Sequence, residues 1–491
     1  MRSAARAGGV CAVLALGLAF VPALPAQADP SRPSDAIACD VEALKAAIVA
    51  ADAAGGGTIR LPSRCTYTLT AVDNTGPGGD PNGLPLITTP ITLKGGKDTV
   101  IERAATAPQF RVFEVTGPAG ALTLDGTGRG KGRGDGWSAA SVLGGIDRDR
   151  DRDRDRDRDR DRDRDDPDCR SGSGLTVRGG SSTDDGGAVF VDDDRSLTLK
   201  CTTLTGNNAA DNGGAVHAEN GATVTATSSH VDGNTASDHG GGIFSDGTTL
   251  SLKRSSVNGN TGDDGGGIHT EGGSLSLTDS TVNQNTSRSG VGGGILAENA
   301  PATFIRSQVN RNTGAITGGG IAILAGEGVV TTFWRSEING NTGIILGAGI
   351  FNNGGTVTLQ STHVGNNTLA DISPLGAGIL NSGNLTLRDS RVSGNTAPGD
   401  VGGGGGIANF ATLDIEKTSI RDNTAGALGG GLYNGDGTAT LTGSKVTRNE
   451  ATSGGGIYEE PGSTVTLNQT AVTDNTPDNC APPGAVPGCT G

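Results

Sequence analysis

The chain has 491 residues, of which 85 are Gly, one is Met and only 3% are aromatic, and it carries a formal net charge of −15. So few bulky side chains exclude a conventional large-cored globule, the lack of a Gly-X-Y period excludes collagen, and an apolar share of 33% is too high for wholesale disorder. The acidic balance disfavours nucleic acid and anionic membranes as partners and favours cations or neutral glycans.

Residues 1–28 read as a signal peptide. Arg2 and Arg6 precede an apolar stretch from Val10 to Val21, and Ala26, Gln27 and Ala28 offer a small-x-small cleavage site. Cys11 lies inside that stretch, which argues against a lipid-anchored cysteine, and no later run approaches the roughly 18 apolar residues of a transmembrane helix. The mature chain is expected to be secreted and extracellular. Its six remaining cysteines then favour disulfides, with Cys39–Cys65, Cys169–Cys201 and Cys480–Cys489 as the sequence-local pairing, although other connectivities stay open.

Residues 29–125 are expected to hold a cap and the first coils of a repetitive fold. Asp40 is a plausible N-cap for a helix reaching about Ala54, with Val41, Leu44, Ala47, Ile48 and Ala51 on one face. Short alternating runs follow at Thr58–Leu61, Thr66–Thr70, Ile91–Leu93, Arg111–Val115 and Leu122–Leu124. Residues 126–174 form an insertion with Asp-Arg alternation from Asp147 to Asp165, whose cancelling charges and missing apolar stripe predict a surface loop. The segments starting at Leu122 and Leu175 look like consecutive strands of one coil parted by that loop.

Within residues 175–476 a unit of 25 to 29 residues recurs eleven times. Each opens with a Gly-rich turn and an apolar residue: Val189, Val216, Ile243, Ile268, Ile295, Ile321, Ile350, Ile379, Ile407, Leu432 and Ile457. A second short strand follows, as at Leu275 to Leu277, and then a third with an apolar residue three places before an Asn. Those are Asn207, Asn234, Asn260, Asn285, Asn312, Asn341, Asn367, Asn395, Asn423, Asn449 and Asn475. Three strands per unit, each too thin to bury a core alone, predict stacking at about 4.8 Å per unit. The Asn is expected at a sharp turn in an unusual backbone conformation, with amides bonded from coil to coil. The fold class is therefore an all-β, single-stranded right-handed parallel β-helix of about thirteen coils, capped by the N-terminal helix and closed by a disulfide tail at 477–491.

The unit running from Gly265 through Ile268 and Val282 to Asn285 resembles the repeats of bacterial polymorphic outer membrane proteins. The segment from Val41 to Thr70 resembles the cap of pectate-lyase-like β-helices. The resemblance implies fold far more than activity, because such folds serve lyases, glycosidases and adhesins alike. No C-terminal membrane barrel is inherited with it.

Aligned on the leading residue, the first five units carry Asp192, Glu219, Asp246, Glu271 and Glu298 three places later, and Asp184, Asp211, Asp238 and Asp263 five places earlier in four of them. Phe190, His217, Phe244 and His269 follow the leading residue directly. Alternation along a strand sends these residues outward together, so a solvated acidic stripe is expected on the N-terminal half. Calcium or another hard cation is the candidate cofactor, held by those nine carboxylates. The favoured function is a structural, adhesive or glycan-binding protein that meets an extracellular glycan or cell-surface component. The alternative is a polysaccharide hydrolase or lyase using Asp246, Glu219 and Glu271, with His217 or His269 moving protons. A calcium-plus-arginine lyase mechanism, which the resemblance also implies, fits less well because the stripe presents no Arg or Lys.

Overall fold

The computed structural model describes residues 36–128, 169, 174–326, 328–370 and 373–490. The segment expected to be a signal peptide and the Asp-Arg run lie outside the described residues. What is described is a parallel β-helix: sheets of 13, 14 and 14 strands, each strand pairing in parallel with its counterpart in the next coil. Among the described residues, no helix is long and apolar enough to cross a membrane.

One coil shows how the sequence makes the path. Ile268–Glu271 belongs to the first sheet, Ser274–Thr278 to the second and Thr281–Asn283 to the third. A fourth strand, Thr286–Ser287, was not foreseen; such two-residue strands form ladders of five and four, and two residues are too few for alternation to reveal them. Leu275 and Leu277 are buried while Ser276 between them is not. In-register stacking builds a continuous apolar column through Leu252, Leu277, Phe304, Phe333 and Leu359. The Phe304 and Phe333 rings stack at 4.4 Å. Each such burial is worth about 1.5–3 kcal/mol, which accumulates along the solenoid.

The chain turns at two left-handed corners. The residue after the second strand adopts one (Arg254 φ 48, Asp279 φ 52, Arg306 φ 49), and the residue before each ladder Asn adopts the other (Gly259 φ 63, Gln284 φ 57, Arg311 φ 56). The expectation that Asn itself takes the unusual conformation is thus corrected. The Asn does not share that left-handed φ, and its amide bonds from coil to coil beside the residue that turns. Asn285 Nδ2 donates to Asn312 Oδ1 at 3.0 Å and to Val257 O at 2.9 Å, while its backbone N–H donates to the same Oδ1 at 2.9 Å. This pattern runs to Asn475, which passes its donors to Asn479 Oδ1. The ladder is buried throughout, and its full satisfaction is what makes burial tolerable. A second, shorter ladder in the first sheet joins Asn352, Asn381, Asn409 and Asn434 through 2.8 Å amide bonds. The triple Gly before most first-sheet strands of the repeat has a steric cause: Gly265 turns at φ 54, and a Cβ on Gly267 would sit 2.8 Å from the Asn285 amide.

The helix spans Val41–Ala53, capped by Asp40, and buries Leu44 and Ile48 against the first coil. Cys39–Cys65 ties its entrance to the third sheet; Cys169–Cys201 and Cys480–Cys489 are the other bridges. Ala121–Gly128 lies in the second sheet and Leu175–Arg178 in the third, so the insertion parts adjacent strands of one coil. The run Thr99–Arg103, not foreseen as a strand, pairs with Thr66–Leu69 and completes an early coil. At the far end Cys480–Ala481 forms the last rung of the first sheet.

Candidate functional site

The first sheet aligns Val189, Val216, Ile243, Ile268 and Ile295 as one inward column. One residue on, Phe190, His217, Phe244 and His269 form an outward ladder with successive ring centroids 5.2, 5.0 and 5.2 Å apart. At its foot the Arg111 guanidinium lies 4.5 Å over Phe190, fully buried and paired with Asp80 at 3.1 Å and Glu114 at 3.7 Å. Asp80 also accepts from Ser182 and Thr183.

The ladder is not an open stripe, contrary to the sequence expectation. Relative exposure is 4% for Phe190, 5% for His217, 7% for Phe244 and 3% for His269. The cause is the residue four places before the leading position, a row the sequence reading passed over. Asp185 Oδ1 reaches His217 Nδ1 at 3.3 Å. The His239 ring lies 6.0 Å from Phe244 and 4.8 Å from His269, with carboxylate oxygens of Asp238 and Asp264 at 3.2 and 3.5 Å from its Nδ1. The Gly-rich turns fold these side chains over the strand, and the rings spend their faces on one another. They form the floor of the acidic face and do not present platforms for a sugar.

Two rows of acids flank that floor. Asp184 and Glu271 are exposed, while Asp192, Asp211, Glu219, Asp238, Asp246, Asp263 and Glu298 are partly buried. Only part of each row converges. The carboxylates of Asp184, Asp185 and Asp211 offer oxygens within 4.8 Å of one another, as do those of Asp192, Asp193 and Glu219. Among the described residues Asp238, Asp246, Asp263, Glu271 and Glu298 enter no such group, and Asp263 is taken by Arg288 at 2.9 Å. Asp185 and Asp193 were missed in the sequence because each stands one residue beyond the aligned row.

His217 connects the two groups, with Nδ1 facing Asp185 and Nε2 at 4.0 Å from Glu219 Oε1. Burial raises the Glu219 pKa, against the pull of His217 and with the push of Asp193, Asp192 and Asp185. Burial together with neighbouring aspartates raises Asp184 and Asp211 as well. Burial also acts on Asp185, but hydrogen bonding to His217 and its charge outweigh it and hold this carboxyl below the usual range. His269 differs from His217. Burial, reinforced by His239, pushes it down to about 3, and neither ring nitrogen has a hydrogen-bond partner. Its closest carboxylate oxygen, Glu298 Oε2, is 3.8 Å away. So weakly basic an imidazole is a poor proton carrier at neutral pH.

No protein-family model matches the chain, and no curated protein sequence matches it. Among solved structures, the A-module of the Azotobacter vinelandii mannuronan C-5 epimerase AlgE6 is similar at 15% identity, covering 91% of this chain and 98% of that one with a TM-score of 0.36. PfbA, a surface adhesin of Streptococcus pneumoniae, is similar at 11% identity over 88% and 86% of the two chains, TM-score 0.32. A tailspike of E. coli bacteriophage HK620, solved in complex with a pentasaccharide, is similar at 11% identity over 90% and 76%, TM-score 0.37. Likenesses this distant bear on neither ligand nor activity, and the function is argued from the residues alone.

Proposed function

We propose that this chain is an extracellular structural or adhesive solenoid whose acidic face holds calcium or another hard cation and, through it, glycan. The observation that carries the reading is the pair of three-carboxylate groups, Asp184/Asp185/Asp211 and Asp192/Asp193/Glu219, on either side of His217. Burial is the main cause of the raised pKa values of Asp184, Asp211 and Glu219, and repulsion between carboxylates so close together adds to it. Among the described residues none of the six is ion-paired to Lys or Arg. Calcium takes about six to eight oxygen ligands, so three carboxylates leave positions that water or the vicinal hydroxyls of a neutral sugar can fill.

Calorimetric titration of calcium into the full chain tests this. Saturable binding, weakened about tenfold or more by Asp211→Asn with Glu219→Gln, is expected, since affinity follows ligand charge. Retention on immobilised glycan should then vanish with chelator. A protein that takes up no calcium contradicts the reading.

One observation favours a second reading, a polysaccharide hydrolase or lyase. Asp185 lies 3.3 Å from His217 Nδ1 and Glu219 lies 4.0 Å from Nε2, and the raised Glu219 carboxyl suits a general acid. Sugar release from a polysaccharide panel that Glu219→Gln abolishes would support it; no release from any substrate leaves the binding reading alone.

A further inference from the structure

A cleft of about 650 Å³ lies on a different side of the solenoid, along the corner between the second and third sheets of the C-terminal half. Although the chain as a whole is strongly acidic, its rim carries Arg306, Arg335, Arg391, Lys417 and Lys445 against two acids, Glu337 and Asp389. Arg306 is bound to Asp279 at 2.6 Å and Lys417 to Glu416 at 3.3 Å. Arg335, Arg391 and Lys445 are exposed and, among the described residues, have no acidic partner within ion-pair distance. The Arg335 guanidinium rests on Trp334 at 4.4 Å, which fixes its direction.

The floor of the cleft is spent on the fold. Ser336, Thr362 and Ser390 are buried where the chain turns; each hydroxyl accepts a backbone N–H from the preceding coil, as Thr362 does from Ser336. Each also donates to a carbonyl two residues earlier. A ligand here is therefore gripped by the charged rim and not by a hydroxyl network. Arg391 and Lys445 open third-sheet strands two rungs apart, a distance of about 9.6 Å along the axis at one strand spacing per coil. The column reads Glu337, His363, Arg391, Ser419 and Lys445, so its two cations stand two rungs apart, in step with two alternate acidic residues of an extended pyranose chain, each of whose sugars advances by about one strand spacing.

The geometry points to this cleft as a binding track for a linear anionic polysaccharide, one bearing carboxylate or sulfate groups, lying along the solenoid axis. A second copy of this chain is a poorer occupant, because molecules of net charge −15 repel one another. The track lies on a different face from the acid groups, so it neither needs calcium nor depends on the reading given above.

Affinity measurements on the full chain with oligogalacturonate, a heparin oligosaccharide and dextran, all in chelator, test the inference. Binding of one or both anionic probes but not dextran is expected, falling steeply with salt; which probe binds tells carboxylate from sulfate. The triple variant Arg335→Gln, Arg391→Gln, Lys445→Gln should bind about tenfold more weakly or worse, because charge-assisted contacts are lost. Glu337→Gln with Asp389→Asn should bind more tightly, a gain that misfolding does not mimic. Asp211→Asn with Glu219→Gln should bind as the parent does, which separates this track from the calcium face. The inference is overturned if neither anion binds at low salt, if the triple variant binds like the parent, or if the cleft cations mediate only self-association.

Discussion

The N-terminal and C-terminal halves share one coil geometry and diverge in what they hang on it. In the first half the outward ladder of the first sheet is Phe190, His217, Phe244 and His269 walled by acids, whereas in later coils the same column holds Leu296, Ala322, Phe351 and Leu380. Basic side chains gather instead at another corner, from Arg306 to Lys445. The inward aliphatic column, of Val, Ile and Leu, and the Asn column run through both halves. A solenoid thus separates columns that specify the fold from columns free to carry chemistry, and the place where an outward column changes character is more informative than the repeat itself.

That separation makes ranked predictions. The largest effect should come from Arg111→Ala. It leaves Asp80 and Glu114 as buried unpaired carboxylates beneath the ladder and should cost about 3–5 kcal/mol in chemical denaturation. Next is Asn341→Ala, which deprives the backbone and side-chain amides of Asn312 of their acceptor and should cost about 3 kcal/mol. By contrast Asp211→Asn with Glu219→Gln should leave stability at pH 7 unchanged or improved. Their folded-state pKa values are raised, so their favourable contribution exists only below the usual carboxylate range and is lost as pH rises through it. The improvement should accordingly fade on acidification to about pH 4; an acidic-face variant as damaging as Asn341→Ala would erase the distinction between the two kinds of column.

At pH 7 the smallest effect concerns His269, whose contribution emerges only on acidification. Its folded pKa of about 3 lies below its ordinary 6.5, so the native state loses stability as pH falls from 6.5 toward 3 and the unfolded chain takes up the proton first. His269→Phe should flatten that part of the melting-temperature profile and leave the value at pH 7 nearly unchanged.

What the sequence disclosed follows the same division. The Ile and Asn columns were legible because eleven repetitions expose any position that cannot vary. The left-handed turn was assigned to Asn and belongs to the residue before it, since Gly259, Gln284 and Arg311 share a backbone conformation but no side-chain chemistry. The row beside the ladder stayed hidden for a like reason: Asp185 and His239 lie against ladder rings while Asn212 and Asp264 contact His239, and four residues so different in kind reveal their relation only by contact. Arg111 and Asp80 come from irregular early coils that no repeat aligns. The basic cleft escaped notice because its cations alternate between two columns at a corner, inside a chain whose net charge has the opposite sign.

A cation-loaded face is proposed for the carboxylates around His217. Thermal unfolding of the full chain at pH 7, in calcium and in chelator, tests it most directly. The account predicts a higher Tm in calcium, with the increment lost in Asp211→Asn with Glu219→Gln; superimposable melting curves with and without calcium would contradict it.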